Sequence, residues 1–550
     1  MTREKIKNLV QKAIQKAQKE KKLARFKIPE IQVEKPEDKT HGDYSTNIAL
    51  QIAKAAKRNP IEIARLLTSY FRLSAKGETH QGRQTSGFLN KVEMVKPGFI
   101  NFFLSEAYLQ KQISEILKRK EKYGQLKIGK NQKVNVEFIS ANPTGPLHIG
   151  NGRGAFFGDC LSNILEKAGY RVIREYYIND AKVNTQIKIL GKTALNRGIT
   201  YLTKDLESKI KILGPKLKKI TSEAEAGNLL AKKIQKNIRD FIDKKLKIKF
   251  DNWITEEDFY KKSRIKKIYE QLKKKGLTYK KEGAQWLRIS KFGATKDEVI
   301  IRQTGEPGYF LSDIAYHQDK FKRGFSKIIN IWGADHQGHV PRIKAVAKIL
   351  GYKGDLDVLI SQMVRLKRGK ISKRKGEIVA LEWLINEVGL DAARFFYLMR
   401  SLDTQMEFDV ELAKERSAKS PVYYVQYAHA RISSILRKAT SYPPKARLAK
   451  GGKLQSTSYN LLTHPSELGL IKELMRFPEV IEDTANDYQV QRIPQYAINL
   501  ATSFHKFYRD CKVLTKEKGL KGARLGLVSA TQNVLKNTLG LMGISAPEKM

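Results

Sequence analysis

The amino-acid sequence predicts a multidomain α/β protein: a parallel-sheet domain with a helical insertion, preceded by an α+β domain and followed by an all-α domain. Three observations carry this. A strand, loop, helix, strand succession runs from Lys133 to Tyr177, a Lys-rich stretch of mostly helical pattern comes after it, and from about Asp391 the pattern is helical to the end. The β-loop-α-β order is that of a parallel nucleotide-binding sheet. A chain of 550 residues has room for roughly three or four domains, each able to bury a core.

Taken in order, the opening segment MTREKIKNLVQKAIQKAQKE places Ile6, Leu9, Val10, Ala13, Ile14 and Ala17 at helical spacing. It lacks the apolar core of about 7–15 residues that a signal peptide needs, and Glu4 and Glu20 weigh against a basic transit peptide. The expected element is an amphipathic helix of the folded protein. Residues 1–105 alternate helical patterns with short strands. Within them Phe88 to Leu104 reads as two β runs joined at Pro97-Gly98, a turn pair. Residues 106–130 are expected to link this domain to the next, with Leu109, Ile113, Ile116 and Leu117 marking a helix over Ala107 to Lys120.

The sheet domain is expected over residues 131–400. Val134, Val136 and Phe138 lie on one face of its first strand, Ser140 to Gly150 is a loop, and Ala155 to Ala168 a helix closed by Gly169. Tyr170 to Tyr177 is a second strand, with Ile328 to Trp332 and Asp357 to Met363 as later ones. The Lys-rich range from about 187 to 290 reads as the helical insertion, and 401–550 as the all-α domain.

Charge narrows the classes of function. Lys and Arg number 104 against 56 Asp and Glu, a formal net charge of +48. Two causes fit: a Lys-rich proteome with solvated faces, or a polyanionic partner whose phosphate counterions Lys and Arg displace. Composition does not separate them. Two cysteines, Cys160 and Cys511, exclude a disulfide framework and a zinc motif, so no structural zinc is expected and a reducing, cytoplasmic compartment fits. No run of about 18 apolar residues offers a membrane span.

Two loops carry chemistry. In EFISANPTGPLHIGNGRGAFFGD, Glu137 to Asp159, glycines 145, 150, 152 and 154 surround His148 at a loop-to-helix junction. Glycines let a backbone approach a phosphate, a helix start offers free N–H groups, and His148 can donate to phosphate oxygens. A lone His after a strand is more often structural; the context raises this one. The run Lys367 to Lys375, KRGKISKRK, would in a Lys-rich chain ordinarily be a solvated loop. Gly369 and Ser372, and its place after the strand-like Val358 to Val364, favour a functional loop instead. A third segment, GYFLSDIAYHQDKF, puts Tyr309 and Asp313 four apart, on one face of a helix. In SPVYYVQYAHARISSILRKA, Ser420 to Ala439, Val422, Val425, Tyr427, Ile432 and Leu436 recur near helical spacing. Core packing is the default there, with base stacking by Tyr or His beside Arg431 the alternative.

These segments together resemble a known family. His148-Ile149-Gly150-Asn151 is similar to the HIGH motif of class I aminoacyl-tRNA synthetases, with Asn in the fourth place, and ANPTGPLHIGN resembles the arginyl-tRNA synthetases in particular. Lys370-Ile371-Ser372-Lys373-Arg374 resembles their KMSKS motif, ending in Arg rather than Ser. HGDYSTNIAL, KPGFINFFLS, WGADHQGH, FHKFYRDC and the closing GISAPEKM are similar to further segments of the same family, so the resemblance covers essentially the whole chain.

The resemblance implies a Rossmann-type catalytic domain, an N-terminal domain against the outer corner of tRNA, and a C-terminal anticodon-binding domain. It implies an arginine–tRNA ligase that uses ATP, with Mg2+ on the phosphates, and tRNA(Arg) and arginine as partners of a cytoplasmic monomer. By the same resemblance His148, Asn151, Lys370 and Lys373 are catalytic; Gly150, Asp335 and His336 join His148, Asn151 and Lys373 at ATP. Glu137, Asn142, Tyr309 and Asp313 hold arginine, and Tyr423, Tyr427 and Arg431 face tRNA. No metal-binding residues are expected. A class I synthetase of other specificity would not require the Tyr309/Asp313 pair, a non-catalytic paralogue would not require His148 and Lys373, and a small nucleotidyltransferase would lack the terminal domains.

Overall fold

The structure, a computed structural model, describes residues 1–75, 87–367, 379–441 and 458–550. It opens with helix α1 (Thr2–Lys19), which buries Ile6, Val10, Ala13, Ile14 and Ala17. After it come strand β1 (Tyr44–Thr46), helices α2 (Ile48–Ala56) and α3 (Pro60–Ala75), and strands β2 (Leu89–Val95) and β3 (Phe99–Leu104). β2 and β3 are antiparallel across the Pro97-Gly98 turn, and β1 pairs on the far side of β3. Helix α4 (Glu106–Arg119) starts at Ser105, whose hydroxyl accepts from Tyr108 N at 3.3 Å, and buries Leu109, Ile113 and Ile116. A side-chain oxygen on one of the helix's free N–H groups is an ordinary N-terminal cap.

The central sheet is parallel throughout. Its strands are β4 (Lys133–Glu137), β5 (Arg171–Ile178), β6 (Asn252–Thr255), β10 (Lys327–Gly333) and β11 (Asp355–Ser361), in spatial order β11-β10-β4-β5-β6. Helix α5 (Ile149–Lys167) crosses from β4 to β5. Between β5 and β6 come α6 (Thr185–Ala194), α7 (Lys204–Leu217) and α8 (Glu223–Lys244). After β6 the chain forms α9 (Glu256–Lys261), α10 (Arg264–Lys274), a small antiparallel sheet of β7 (Thr278–Lys281), β8 (Ala284–Leu287) and β9 (Glu298–Ile301), and α11 (Tyr309–Lys322), which leads into β10. Helix α12 (Val340–Leu350) joins β10 to β11.

This corrects the expectation of one helical insertion over about 187–290. That range contains β6, a strand of the central sheet itself, and the β7–β8 hairpin. β6 is four half-buried residues between lysine-rich flanks, too short to show a period of two in sequence.

The chain then forms β12 (Val364–Leu366), α13 (Leu381–Val388), α14 (Leu390–Leu398), β13 (Met406–Phe408), parallel to β12, and α15 (Val410–Lys414). The helical end comprises α16 (Pro421–Ser441), α17 (Pro465–Met475), α18 (Phe477–Asp487), α19 (Arg492–Asp510) and α20 (Lys518–Leu541). The first domain touches the helical end. The Arg3 guanidinium pairs with Asp483 on α18, the Tyr44 hydroxyl donates to Glu479 at 2.9 Å, and Gln110 donates to the Leu462 carbonyl at 3.0 Å.

One buried cation ties the sheet domain to the helical end. Arg394 on α14 is 1% exposed. Its guanidinium donates to Asp159 on α5 at 2.7 Å, to the Leu246 carbonyl at 2.7 Å and to the Met542 carbonyl at 3.0 Å. Arg394→Met would leave the buried Asp159 carboxylate with only the Arg174 guanidinium, 4.0 Å away. Breaking one member of such a pair costs about 3–5 kcal/mol. Urea unfolding is expected to show a loss of that size.

Candidate active site

The order of the strands locates the site. From β4 the chain moves outward through β5 to β6, then returns to the other side of β4 for β10 and β11. The direction of winding therefore reverses between β4 and β10, and in open parallel sheets the crevice at that point, beyond the carboxyl ends of the strands, is where ligands bind. The loop after β4 carries His148, and the turn after β10, Ala334–His339, carries Asp335 and His336.

His148 is the N-cap of α5. Its Nδ1 accepts from Gly150 N at 3.1 Å, and Asn151 Oδ1 accepts from His148 N at 2.9 Å, a reciprocal capping box. With Nδ1 accepting, the proton of the neutral ring resides on Nε2, which leaves that N–H free to donate. Burial lowers the His148 pKa, opposed by Asp335, so the ring is neutral near pH 7. Asn151 supplies an acceptor at the third helical position, a cap that a neutral amide makes well.

The glycine run serves packing as much as ligand access. A Cβ at Gly152 would lie 2.8 Å from Leu381 and 3.1 Å from the Tyr397 ring, so its small size lets α5 pack against α13 and α14. Gly145 has open space around it. Lys370 and Lys373 lie outside the described residues. The residues beyond them, Val379–Leu381, hydrogen-bond along Leu147–Ile149, beside His148.

The other side of the crevice is acidic. The chain leaves β4 through Ile139 and Ser140, both at positive φ. Glu137, 3% exposed, accepts from the Ser140 hydroxyl at 2.9 Å, the Tyr316 hydroxyl at 3.1 Å and the Lys320 ammonium. Lys320 is wholly buried and also donates to Asn330 Oδ1 at 2.8 Å. Tyr316 donates to Glu175 at 2.8 Å as well, and the Arg323 guanidinium sits on Glu175, holding that carboxyl down at about 2 against its burial. Asn142 is exposed, its Oδ1 accepting from Asn179 at 2.8 Å.

Tyr309 and Asp313 share one face of the first turns of α11, as their spacing predicts. The Tyr309 hydroxyl accepts from Thr185 N at 2.7 Å, and the Arg302 guanidinium lies 5.1 Å from its ring. Asp313 is half-buried, and no described residue bonds to its carboxylate. Burial, then the negative charges of Glu256 and Glu137, push its pKa up to about 8. At neutral pH such a carboxyl is mostly protonated, and a cation bound beside it would favour its ionised form.

Asp335 and His336 stand at the mouth, 3.4 Å apart, with His339 beside them. The remaining candidates lie elsewhere, on α16. There Val422, Val425 and Ile432 are buried, as core packing requires. Tyr423 and Tyr427 instead stack at 6.2 Å on the partly exposed face, and Arg431 lies over the rings of Tyr427 and Tyr508. Sequence reasoning missed Glu256, Ser312, Asn184 and the Tyr316–Lys320 pair. Glu256 reads in sequence as one more acid in a helix's first turn; only its place at the end of β6 could have marked it.

Its carboxylate unpaired among the described residues, Asp313 costs stability in the ligand-free protein. A carboxyl whose folded pKa is raised binds more protons folded than unfolded, so the penalty grows as pH rises from about 4, its unfolded pKa, and is complete above about 8. Asp313→Asn is therefore expected to raise the thermal midpoint without ligands, by more at alkaline than at mildly acidic pH. An unchanged difference across that range would contradict the unpaired state.

Three family models match the chain. They are "Arginyl tRNA synthetase N terminal domain" over residues 4–104, "tRNA synthetases class I (R), catalytic domain" over 112–434, and "DALR anticodon binding domain" over 425–550. An arginine–tRNA ligase of Caldanaerobacter subterraneus subsp. tengcongensis is 41% identical over 573 aligned positions, covering 100% of this chain and 99% of that one. A crystal structure described as a putative arginyl-tRNA synthetase from Campylobacter jejuni superposes with a TM-score of 0.70 at 33% identity, covering 81% of this chain and all of that one. The Thermus thermophilus arginyl-tRNA synthetase superposes over the full length of both chains with a TM-score of 0.77; at 21% identity it speaks for the fold alone.

Proposed function

The chain belongs to the class I arginyl-tRNA synthetases, and from that premise we propose how its crevice activates arginine. The protein is an arginine–tRNA ligase: with ATP and tRNA it joins arginine to the tRNA 3′ end. The observation that carries the assignment of residues is the polarity of the crevice. An unpartnered carboxylate, Asp313, stands on one side, and on the other a helix start with a free imidazole N–H at His148.

The arginine guanidinium is a planar, permanent cation that carboxylates hold well. It lies against Asp313 and the Tyr309 hydroxyl, while Asn142 and Glu137 take the α-amino and carboxylate end. A carboxylate oxygen of arginine attacks the α-phosphorus of ATP; the bond to the bridging oxygen breaks and pyrophosphate leaves. His148 Nε2–H, Gly150 and Asn151 at the start of α5 bind phosphate, and Asp335 and His336 border the nucleoside. Lys370 and Lys373 meet the charge that develops on the α-phosphate and leaving group, where fixed cations lower the barrier most. Mg2+ accompanies the phosphates of ATP. The terminal 2′-hydroxyl of tRNA(Arg) then attacks the adenylate carbonyl, forming the ester and releasing AMP and a proton.

Tyr423, Tyr427 and Arg431 offer bases a stacking face with an adjacent cation. The unpaired cysteines Cys160 and Cys511 fit a cytoplasmic setting.

ATP–pyrophosphate exchange with each of the twenty amino acids, with and without tRNA, tests the reading. Exchange is expected with arginine alone, and only when tRNA is present. Asp313→Asn is expected to raise the KM for arginine far more than that for ATP; equal effects would refute the guanidinium assignment. Lys373→Ala is expected to slow adenylation by roughly a hundredfold or more, with tRNA affinity retained. Adenylation at the parent rate would remove that loop from the chemistry.

A further inference from the structure

The paired register of β4 and β5 ends at Glu137 and Glu175, yet β5 goes on holding the chain that leaves β4. Past that point Ile139 and Ser140 stand at φ 67° and 39°, in the left-handed region. That conformation is costly for any side chain and most of all for a β-branched one, so neighbours must enforce it. The bonds that do so come from β5. The Ser140 hydroxyl accepts from Tyr177 N at 3.0 Å and donates to Glu137 at 2.9 Å. The Tyr176 hydroxyl accepts from Ala141 N at 3.1 Å and donates to the Ala141 carbonyl at 3.2 Å. One hydroxyl can do both, since it carries one proton and two lone pairs. It thus stands in for a neighbouring strand at Ala141. Just beyond β5, Asn179 Nδ2 donates to Asn142 Oδ1 at 2.8 Å. Successive side chains of a strand face opposite ways. Tyr177 stacks on Tyr316 of α11 at 4.1 Å, so Tyr176, 0% exposed, points to the other side of the sheet. There its ring lies on Trp253 at 4.6 Å and meets Phe250 edge-on at 5.6 Å, and Phe250 packs on Phe138 at 4.5 Å. Packing locks the phenol, and its hydroxyl reaches the loop from the side opposite α11.

We propose that Tyr176 is a positioning residue for arginine: its hydroxyl holds the strained exit of β4 so that Asn142, next after Ala141, faces the α-amino and carboxylate end of the amino acid. The inference rests on the reading that Asn142 takes that end. The attacking atom is an oxygen of that same carboxylate, and a displacement of about 1 Å at such a centre can slow a reaction roughly a hundredfold. Removing the hydroxyl deprives the Ala141 N–H and carbonyl of their partner and lets Ile139 and Ser140 relax toward ordinary backbone. Asn142 then moves with them, while Tyr309 and Asp313 on α11, anchored through Lys320 and Glu137, stay in place.

The test is ATP–pyrophosphate exchange in the presence of tRNA(Arg) for the parent, Tyr176→Phe, Asn142→Ala, the double variant and Phe250→Leu, with the thermal midpoint of each. Tyr176→Phe keeps the ring and its stack. It is expected to raise the arginine KM roughly tenfold and to lower kcat, with the ATP KM little changed. Inhibition by butylguanidine, which has the guanidinium but neither the α-amino group nor the carboxylate, is expected to be unchanged. The double variant is expected to lose no more than Asn142→Ala alone, because the hydroxyl acts through that residue; losses that multiply would overturn the proposal. Phe250→Leu, which loosens the same aromatic cluster but keeps the hydroxyl, is expected to lower the thermal midpoint and keep the arginine KM. If it raises that KM as much as Tyr176→Phe does, packing rather than the hydroxyl sets the site, and the proposal falls. If Tyr176→Phe keeps the parent's arginine KM and kcat while Asn142→Ala raises the KM, the role of Tyr176 is overturned and the reading of Asn142 stands. If Asn142→Ala also keeps the parent KM, the reading of Asn142 itself falls, and the proposal with it.

Discussion

The Lys320 ammonium, buried completely between β4, β5, β10 and α11, constrains the rest of the site. A lone charge in that position would be prohibitive, so its partners are obligatory. They are Glu137 and Asn330, with Glu175 4.0 Å away and Tyr316 bridging the two glutamates. Because these partners come from three adjacent strands, they fix both the axial position and the rotation of α11 on the sheet. Tyr309 and Asp313 lie toward the N-terminal end of the same rigid helix and inherit that register. A slip of one residue in α11 would bury Asp313 elsewhere and leave Lys320 unpaired, so the network that stabilises the helix also sets where Tyr309 and Asp313 lie.

The crevice that results has two electrostatic ends joined by one strand. β4 ends in Glu137, which faces the acids of α9 and α11; a few residues later the same chain caps α5 with His148. On the proposed assignment the guanidinium lies against Tyr309 and Asp313 of α11 and the polyphosphate against the start of α5, so the two ends of the crevice come from different segments. Burial keeps the Asp313 carboxyl mostly protonated at neutral pH, and in so low a dielectric a cation placed beside it would interact strongly with its ionised form.

Beyond the crevice the chain is held as a ring of contacts. Arg394 joins α5, α14 and the residues after α20, while the first helix returns to α18 through Arg3 and Glu479. The aromatic face of α16 packs in part on α19, where His505 stacks on Tyr427 and Arg431 reaches the Tyr508 ring. Much of the excess of Lys and Arg is exposed on the helices and hairpin between β5 and α11 and near the α16 face, which accords with a polyanionic partner.

By itself the sequence determined what local rules can determine. The strand, loop and helix around His148 arise from alternation, glycine and caps; the Tyr309/Asp313 face arises from a four-residue spacing; the family is legible in short motifs in a set order. The features it did not reveal depend on residues far apart in the chain meeting in space. β6 is too short to carry a period, and it is a strand only because β5 lies beside it. Asn151, a departure from the motif, becomes intelligible once its side chain is seen closing the cap on His148. Glu256 reads as a solvated helix-start acid until β6 places it between Ser312 and Asn184, and Lys320 reads as a surface lysine until two glutamates from separate strands surround it. Burial and pairing of charge are properties of the assembled core, and only the tertiary structure could decide them.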